Sequence, residues 1–181
     1  VPEGLRYINS YITYEEQGQL LKMVNRQNWL SDLKRRVQHY GYKYDYKLRK
    51  ISSDLYLGRL PDWLLTYANK LAEDGIFKKP PNQVIINEYL AGQGIAPHTD
   101  CVPCFGGVIA SLSLGSGCAM DFTKQDVKYT KYLEVCSLVI IRGEARYDWK
   151  HAIAPRHSDK RGGASVPRLC RTSLTFREVL T

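Results

Sequence analysis

The amino-acid sequence predicts a mainly β protein, a jelly roll or double-stranded β-helix, preceded by two helices. Three observations predict it. From Gly107 onward short strands are separated by turn signals, helical periodicity is confined to two segments before Pro80, and nowhere do strands and helices alternate as a parallel sheet requires. With 181 residues, 44% of them hydrophobic and 24% charged, the chain has the usual size of one domain with a full core. A single domain over 1–181 is expected, with the helices and a basic, aromatic region in 1–80 and the jelly roll in 81–181.

Thr13-Tyr14-Glu15-Glu16 is a capping box, and the helix it opens should run to about Gln27, burying Leu20, Leu21 and Val24 with Trp29. A second helix should start at Pro61, carry Trp63, Leu64, Tyr67, Ala68 and Leu71 on one side, and stop at Gly75. Both are ordinary packing helices. Between them, Leu33 to Lys50 interleaves aromatics with cations. If Tyr40 to Tyr46 is extended, Tyr40, Tyr42, Tyr44 and Tyr46 share one face, with Lys43 and Lys47 opposite and Arg35 and Arg36 just upstream. Such a stretch can stack on bases and meet phosphates, or it can be an edge strand whose tyrosines cover the core while its lysines oppose aggregation.

Gln83 to Tyr89 is a β-branched run entered through Pro80-Pro81, so period-two geometry puts Asn87 and Tyr89 on one face. Gly92 and Gly94 break that strand, Pro97 rules out a helix, and His98-Thr99-Asp100 follows in extended chain. An imidazole and a carboxylate two residues apart supply two ligands of the 2-His-1-carboxylate triad that holds non-haem Fe(II). The third ligand should come from another strand. His151, 53 positions after His98, suits this, whereas His39 lies in the basic stretch and His157 in a Gly- and Arg-rich segment.

The strands expected after Gly107 are Val108 to Leu114, Cys118 to Phe122 and Leu133 to Ile141, the last containing a CSLVII run buried on both faces. Pro155 to Pro167 reads as a mobile loop inside the domain. Arg171 to Arg177 alternates cleanly: Arg171, Ser173, Thr175 and Arg177 face one side, and Thr172, Leu174 and Phe176 the other. Two long guanidinium side chains on one face can converge on a small dianion between them.

The net charge of +8 attracts polyanions, nucleic acid first. No stretch reaches the roughly 18 apolar residues that a bilayer span needs, and VPEGLRYINSY lacks a basic flank followed by an apolar core. A monomer that is not secreted, and that works in the cytoplasm or nucleus without a membrane, is expected. Five cysteines, an odd number, do not form the framework of a secreted domain, so free thiols are expected; Cys101-Val102-Pro103-Cys104 without a second pair makes a poor zinc site.

Taken in order, Asn-x-Tyr, His-x-Asp, a distant His and Arg-x5-Arg resemble the AlkB family of Fe(II)/2-oxoglutarate dioxygenases over most of the chain. The resemblance implies a jelly-roll dioxygenase core. By it His98, Asp100 and His151 would bind iron and form the catalytic centre. Asn87, Tyr89 and Arg171 would hold the distal carboxylate of 2-oxoglutarate, with Arg177 near its metal-side end, and 1–80 would include a substrate lid. Fe(II), 2-oxoglutarate and O2 would be required. The substrate would be an alkylated or modified base in DNA or RNA, flipped out of its stack and gripped by Arg35, Arg36, Tyr40 and Tyr42. RRVQHYGYKYDY, GQGIAPHTD, SLSLGS and RTSLTFREV look most like the branch that hydroxylates modified wobble uridine in tRNA, and like small bacterial-type members that remove alkyl groups. Two departures matter: the 181 residues include no RNA-recognition or methyltransferase domain, and Val102 stands where several DNA-repair members carry an acidic residue. A nucleic-acid-binding module without activity is the rival of a different class, and the complete ligand set disfavours it.

Overall fold

In the computed structural model, which describes residues 1–180, β1 (Leu5–Ile8), α1 (Tyr14–Arg26), β2 (Val37–Tyr40) and α2 (Asp62–Glu73) lead into the main body of strands. These are β3 (Gln83–Tyr89), β4 (Ile95–His98), β5 (Phe105–Leu114), β6 (Cys118–Lys124), β7 (Val127–Leu133) and β8 (Leu138–Arg142). After the short α3 (Glu144–Tyr147) come β9 (Lys150–Ile153), β10 (Ser158–Arg161), β11 (Ala164–Pro167) and β12 (Arg171–Val179). The larger sheet has the order β1-β8-β5-β12-β3-β2 and the smaller β4-β9-β6-β7, while β10 pairs with β11; the ladders are antiparallel. This is the jelly roll expected from the strand pattern.

Alternation along each strand divides the interior in two. On the helix side of the larger sheet, Leu174 and Phe176 of β12 and Leu138 and Ile140 of β8 join Leu20 and Val24 of α1 and Leu64 and Leu71 of α2. Between the sheets, Val139 and Ile141 meet Met120, Phe122 and Ile153. The capping box is present: Thr13 Oγ1 accepts from the Glu16 amide and Glu16 Oε1 from the Thr13 amide, each at 3.1 Å. Gly94 lets β4 lie against β9, since a Cβ there would stand 2.1 Å from the Ile153 carbonyl oxygen.

Four expectations are corrected. Leu133 to Ile141 is not one strand. The chain turns at Cys136, whose φ is +66°, and the Ser137 hydroxyl donates to the Glu134 carbonyl as the chain passes from the smaller sheet to the larger. Pro155 to Pro167 is mostly the β10–β11 hairpin, closed by Gly162-Gly163 with both φ positive. A two-pronged pair from Arg168 to Asp159, 2.8 Å on each prong, ties it down. Tyr40 to Tyr46 is not extended: β2 stops at Tyr40 and Gly41 turns with φ +80°, because a Cβ there would fall 2.0 Å from the Asn82 carbonyl oxygen. Finally, Cys101 and Cys104 are joined as a disulfide, leaving Cys118, Cys136 and Cys170 free.

His39 sits in β2 with its Nδ1 accepting from the Tyr44 amide at 3.3 Å and its Nε2 shut in without a partner. Burial, helped by the Lys43 charge, pushes the imidazole down from its ordinary 6.5 to about 4. The unfolded chain therefore takes up a proton near pH 6.5 that the folded chain refuses until near pH 4, so stability is full above 6.5 and is lost as pH falls through that window. Between pH 7 and pH 5 the wild type should lose about 2 kcal/mol that His39→Gln keeps. Urea midpoints measured at both pH values check this, and parallel losses in the two proteins would count against it.

Candidate metal centre and its two chambers

The register of β4 against β9 sets His98 directly opposite His151, and the chain leaving β4 brings Asp100 between them. His98 Nε2 lies 3.3 Å and His151 Nε2 3.5 Å from Asp100 Oδ1, and the three donor atoms fall within 4.8 Å of one another. Two bonds of about 2.1 Å at right angles put adjacent donors about 3 Å apart, so this spacing suits one first-row metal ion. The tautomers suit it too. His98 Nδ1 lies 2.8 Å from the Ala96 carbonyl, which can only accept, so Nδ1 carries the proton and Nε2 is free to ligate. Burial lowers the His151 pKa despite the neighbouring Asp100, which keeps the ring neutral as a ligand must be.

Asp100 is buried, and its charge needs compensation. Desolvation pushes its carboxyl up, but the Arg177 charge, with the imidazoles of His151 and His98 beside it, outweighs that and holds it well below the usual carboxylate range. Arg177 Nε donates to Asp100 Oδ2 at 2.8 Å, so Oδ1 alone is presented to the histidines.

Behind the triad lies a cavity of about 50 Å³, lined by Asn87, Tyr89, Arg171, Ser173 and Arg177 among others. Strand register explains the grouping, because Arg171 is opposite Tyr89 and Ser173 opposite Asn87 in the β12–β3 ladder. Arg171 is buried, its Nη2 donates to Ser113 Oγ at 2.9 Å, and its Nε has no partner; Arg177 Nη1 has none either. Unsatisfied buried guanidinium donors are costly unless an anion completes them. Burial raises the Tyr89 pKa more than Arg35 and Arg171 lower it, which leaves the phenol a neutral O–H donor.

Comparison with known proteins agrees with this constellation, since residues 7–177 match the 2OG-Fe(II) oxygenase superfamily. The chain belongs to that superfamily. It is 38% identical to protein L905 of Acanthamoeba polyphaga mimivirus, over 98% of this chain and 85% of that one. It is 37% identical to the mouse tRNA (carboxymethyluridine(34)-5-O)-methyltransferase ALKBH8, over 99% of this chain but only 31% of that protein. The solved structure of OsALKBH1 superposes with a TM-score of 0.75 at 15% identity, covering 98% of this chain and 97% of the other, and so shares the fold. Within the superfamily this chain is an AlkB-type dioxygenase.

In this 2OG-Fe(II) oxygenase a second, larger chamber of about 290 Å³ opens in front of the metal ligands, lined by Arg35, Tyr44, Tyr46, Arg49, Pro97 and Phe105. The residues expected to grip a base divide sharply. Arg35 reaches the chamber. Arg36 does not, because it is paired with both oxygens of Glu88, at 2.9 and 2.8 Å, and lies over Trp29. Tyr40 packs edge-on against Trp63 at 5.5 Å and donates to Gln38 Oε1, and Tyr42 rests on Tyr56 at 5.0 Å, so neither lines the chamber. Tyr44 and Tyr46 stand there instead, since the Gly41 turn breaks the face that all four were expected to share.

Arg146 escaped the sequence reading altogether. It is buried, with its Nη1 donating to the Asp100 carbonyl at 2.8 Å and its other nitrogens to the carbonyls of Cys101, Phe105 and Gly106. It therefore gathers the turn that carries the Asp100 carboxylate. Only its place five residues after a buried strand run hinted at this, and arginine there reads as surface.

His151→Ala should abolish tight Co(II) binding, followed by visible absorption, while the melting temperature stays close to that of the wild type. Arg177→Met keeps all three ligands but frees Oδ2, and should weaken the metal by roughly 10–100-fold. Unchanged Co(II) affinity in His151→Ala would dissolve the triad.

Proposed function

We propose that this chain is an Fe(II)/2-oxoglutarate-dependent dioxygenase that oxidises an alkylated or modified nucleobase in DNA or RNA. The observation that carries the reading is the pair of arginines, Arg171 and Arg177, each with a buried donor that has no partner, beside a His-Asp-His cluster. A dicarboxylate completes both. The fit is chemical as well as spatial: two neutral imidazoles and one ionised carboxylate suit Fe(II), and a planar guanidinium with Asn and Tyr donors suits a carboxylate group.

His98, Asp100 and His151 would hold Fe(II), and Asn87, Tyr89 and Arg171 the far carboxylate of 2-oxoglutarate, with Arg177 keeping Asp100 ionised and oriented. Iron, 2-oxoglutarate and O2 together supply the oxidant for a C–H bond. The protein's part is to aim it. In the outer chamber Tyr44 and Tyr46 can stack on an unpaired base, and Arg35 and Arg49 make the entrance positive. Hydroxylation of an N-alkyl carbon gives a hemiaminal that loses an aldehyde and restores the base, whereas hydroxylation of a carbon-linked substituent leaves a stable alcohol. Identity to a relative named for tRNA carboxymethyluridine favours the second outcome, on a modified wobble uridine, as the alternative. Nucleic acid as partner places the work in the cytoplasm or nucleus, and among the described residues no helix is long and apolar enough to cross a membrane.

Mass spectrometry of alkylated DNA, alkylated RNA and tRNA incubated with enzyme, Fe(II) and 2-oxoglutarate tests the reading; succinate formed with no change in any nucleic acid would redirect it to another substrate. Arg171→Lys keeps the charge and loses the fork, so the KM for 2-oxoglutarate should rise by about 10-fold with kcat nearly unchanged. An unaltered KM removes Arg171 from the cosubstrate site. Tyr44→Ala should cost about 1–3 kcal/mol of single-strand binding without changing its salt dependence, whereas Tyr40→Ala should lower the melting temperature and leave binding alone. The reverse pattern in binding and melting curves would return Tyr40 to the substrate.

A further inference from the structure

Arg35 stands in the wall between the two chambers. Its Nε donates to Asn87 Oδ1 at 2.9 Å, and its guanidinium carbon lies 5.7 Å from the centre of the Tyr89 ring, which Arg171 approaches at 5.4 Å. Its neighbour Arg36 is neutralised by Glu88, but Arg35 has no carboxylate partner among the described residues. Asn87 lines the outer chamber and the inner cavity alike. A guanidinium has only donors, so the amide atom that faces it is the oxygen. The Asn87 NH2 is thereby turned away from Arg35 and left as a donor beside the cavities that this side chain lines.

We propose that Arg35, a residue of the front loop, is a positioning residue for 2-oxoglutarate, acting through the Asn87 amide and the Tyr89 ring. This rests on the reading of the inner cavity as the cosubstrate site. Without Arg35 the amide is free to rotate, and in half of its orientations it presents a carbonyl oxygen to the carboxylate it should hold. A phosphate contact, the role that its position in a basic stretch first suggests, is the competing assignment. The geometry disfavours it because the Nε–H is held by Asn87 and the guanidinium lies against the Tyr89 ring, both on β3.

Calorimetric titration of Mn(II)-loaded protein with 2-oxoglutarate separates the two, since it reads binding without turnover. Arg35→Ala should weaken 2-oxoglutarate by about 10-fold, with the Mn(II) affinity and melting temperature of the wild type. Arg35→Lys, which retains a donor, should recover part of the loss. In an Asn87→Ala background the further effect of Arg35→Ala should shrink to about 2-fold or less, because the group it acts through is gone. The proposal is overturned if Arg35→Ala binds 2-oxoglutarate like the wild type, and equally if the two substitutions are additive. A salt slope of single-strand binding that flattens by roughly 0.7 in Arg35→Ala with unchanged 2-oxoglutarate affinity assigns the residue to phosphate instead. Failure of the wild type itself to bind 2-oxoglutarate would be a different result, sinking the cosubstrate reading as a whole.

Discussion

The ionised carboxylate of Asp100, buried between Arg177 and two histidines, is the constraint on which the rest of this molecule depends. A carboxylate out of water is costly unless it is paired and hydrogen-bonded. Arg177 pairs with one oxygen and the histidines face the other, so the charge is both compensated and aimed. That solution demands an arginine pointing inward from a strand in the middle of the larger sheet. β12 meets the demand because it is hydrogen-bonded on both sides and alternates strictly, with Leu174 and Phe176 anchored among the helices and Arg171 and Arg177 held between the sheets. Arg146 then fixes the backbone of the same turn from behind, and the Cys101–Cys104 bond closes it.

What was legible in the sequence is what period-two geometry controls. Asn87, Tyr89, Arg171, Ser173 and Arg177 needed only alternation to be placed on one face of their strands, and the burial of Leu138 to Ile141 on both faces of β8 followed from the composition of CSLVII. His98 and Asp100 needed only their spacing. His151 was found by elimination among four histidines; its pairing with His98 is a property of the β4–β9 register, which no local pattern announces.

The misses turned on contacts and dihedrals that no local pattern announces. Gly41 was visible, but its effect comes from the Asn82 carbonyl that leaves no room for a side chain, and that approach moved Tyr44 and Tyr46 to the chamber while Tyr40 and Tyr42 packed elsewhere. Cys136 has a positive φ that nothing about cysteine foretells. Gly162-Gly163 does carry a hairpin signal, yet its flanks look mobile until Asp159 and Arg168 meet. The cysteine pair was hidden by an odd total, which argues against a framework and says nothing about one bond between near neighbours.

The two chambers are built to different standards of rigidity, and this bears on how substrate choice is set. The His-Asp-His cluster and the polar lining of the inner cavity stand mostly on or beside β3, β4, β9 and β12, whose ladders fix them relative to one another. Arg35, Tyr44, Tyr46 and Arg49 of the outer chamber's wall come from residues 35 to 49, which lie largely outside regular strands. Rigid elements suit a site where small displacements cost large factors in rate, and loops suit contacts that vary with the substrate. A substitution in Tyr44, Tyr46 or Arg49 therefore reshapes the outer chamber without altering a side chain of the His98–Asp100–His151 cluster. Arg35 is the exception: it belongs to the loop wall of the outer chamber but is bonded to Asn87 of β3, which also lines the inner cavity, so a change in the loop reaches that cavity through one hydrogen bond.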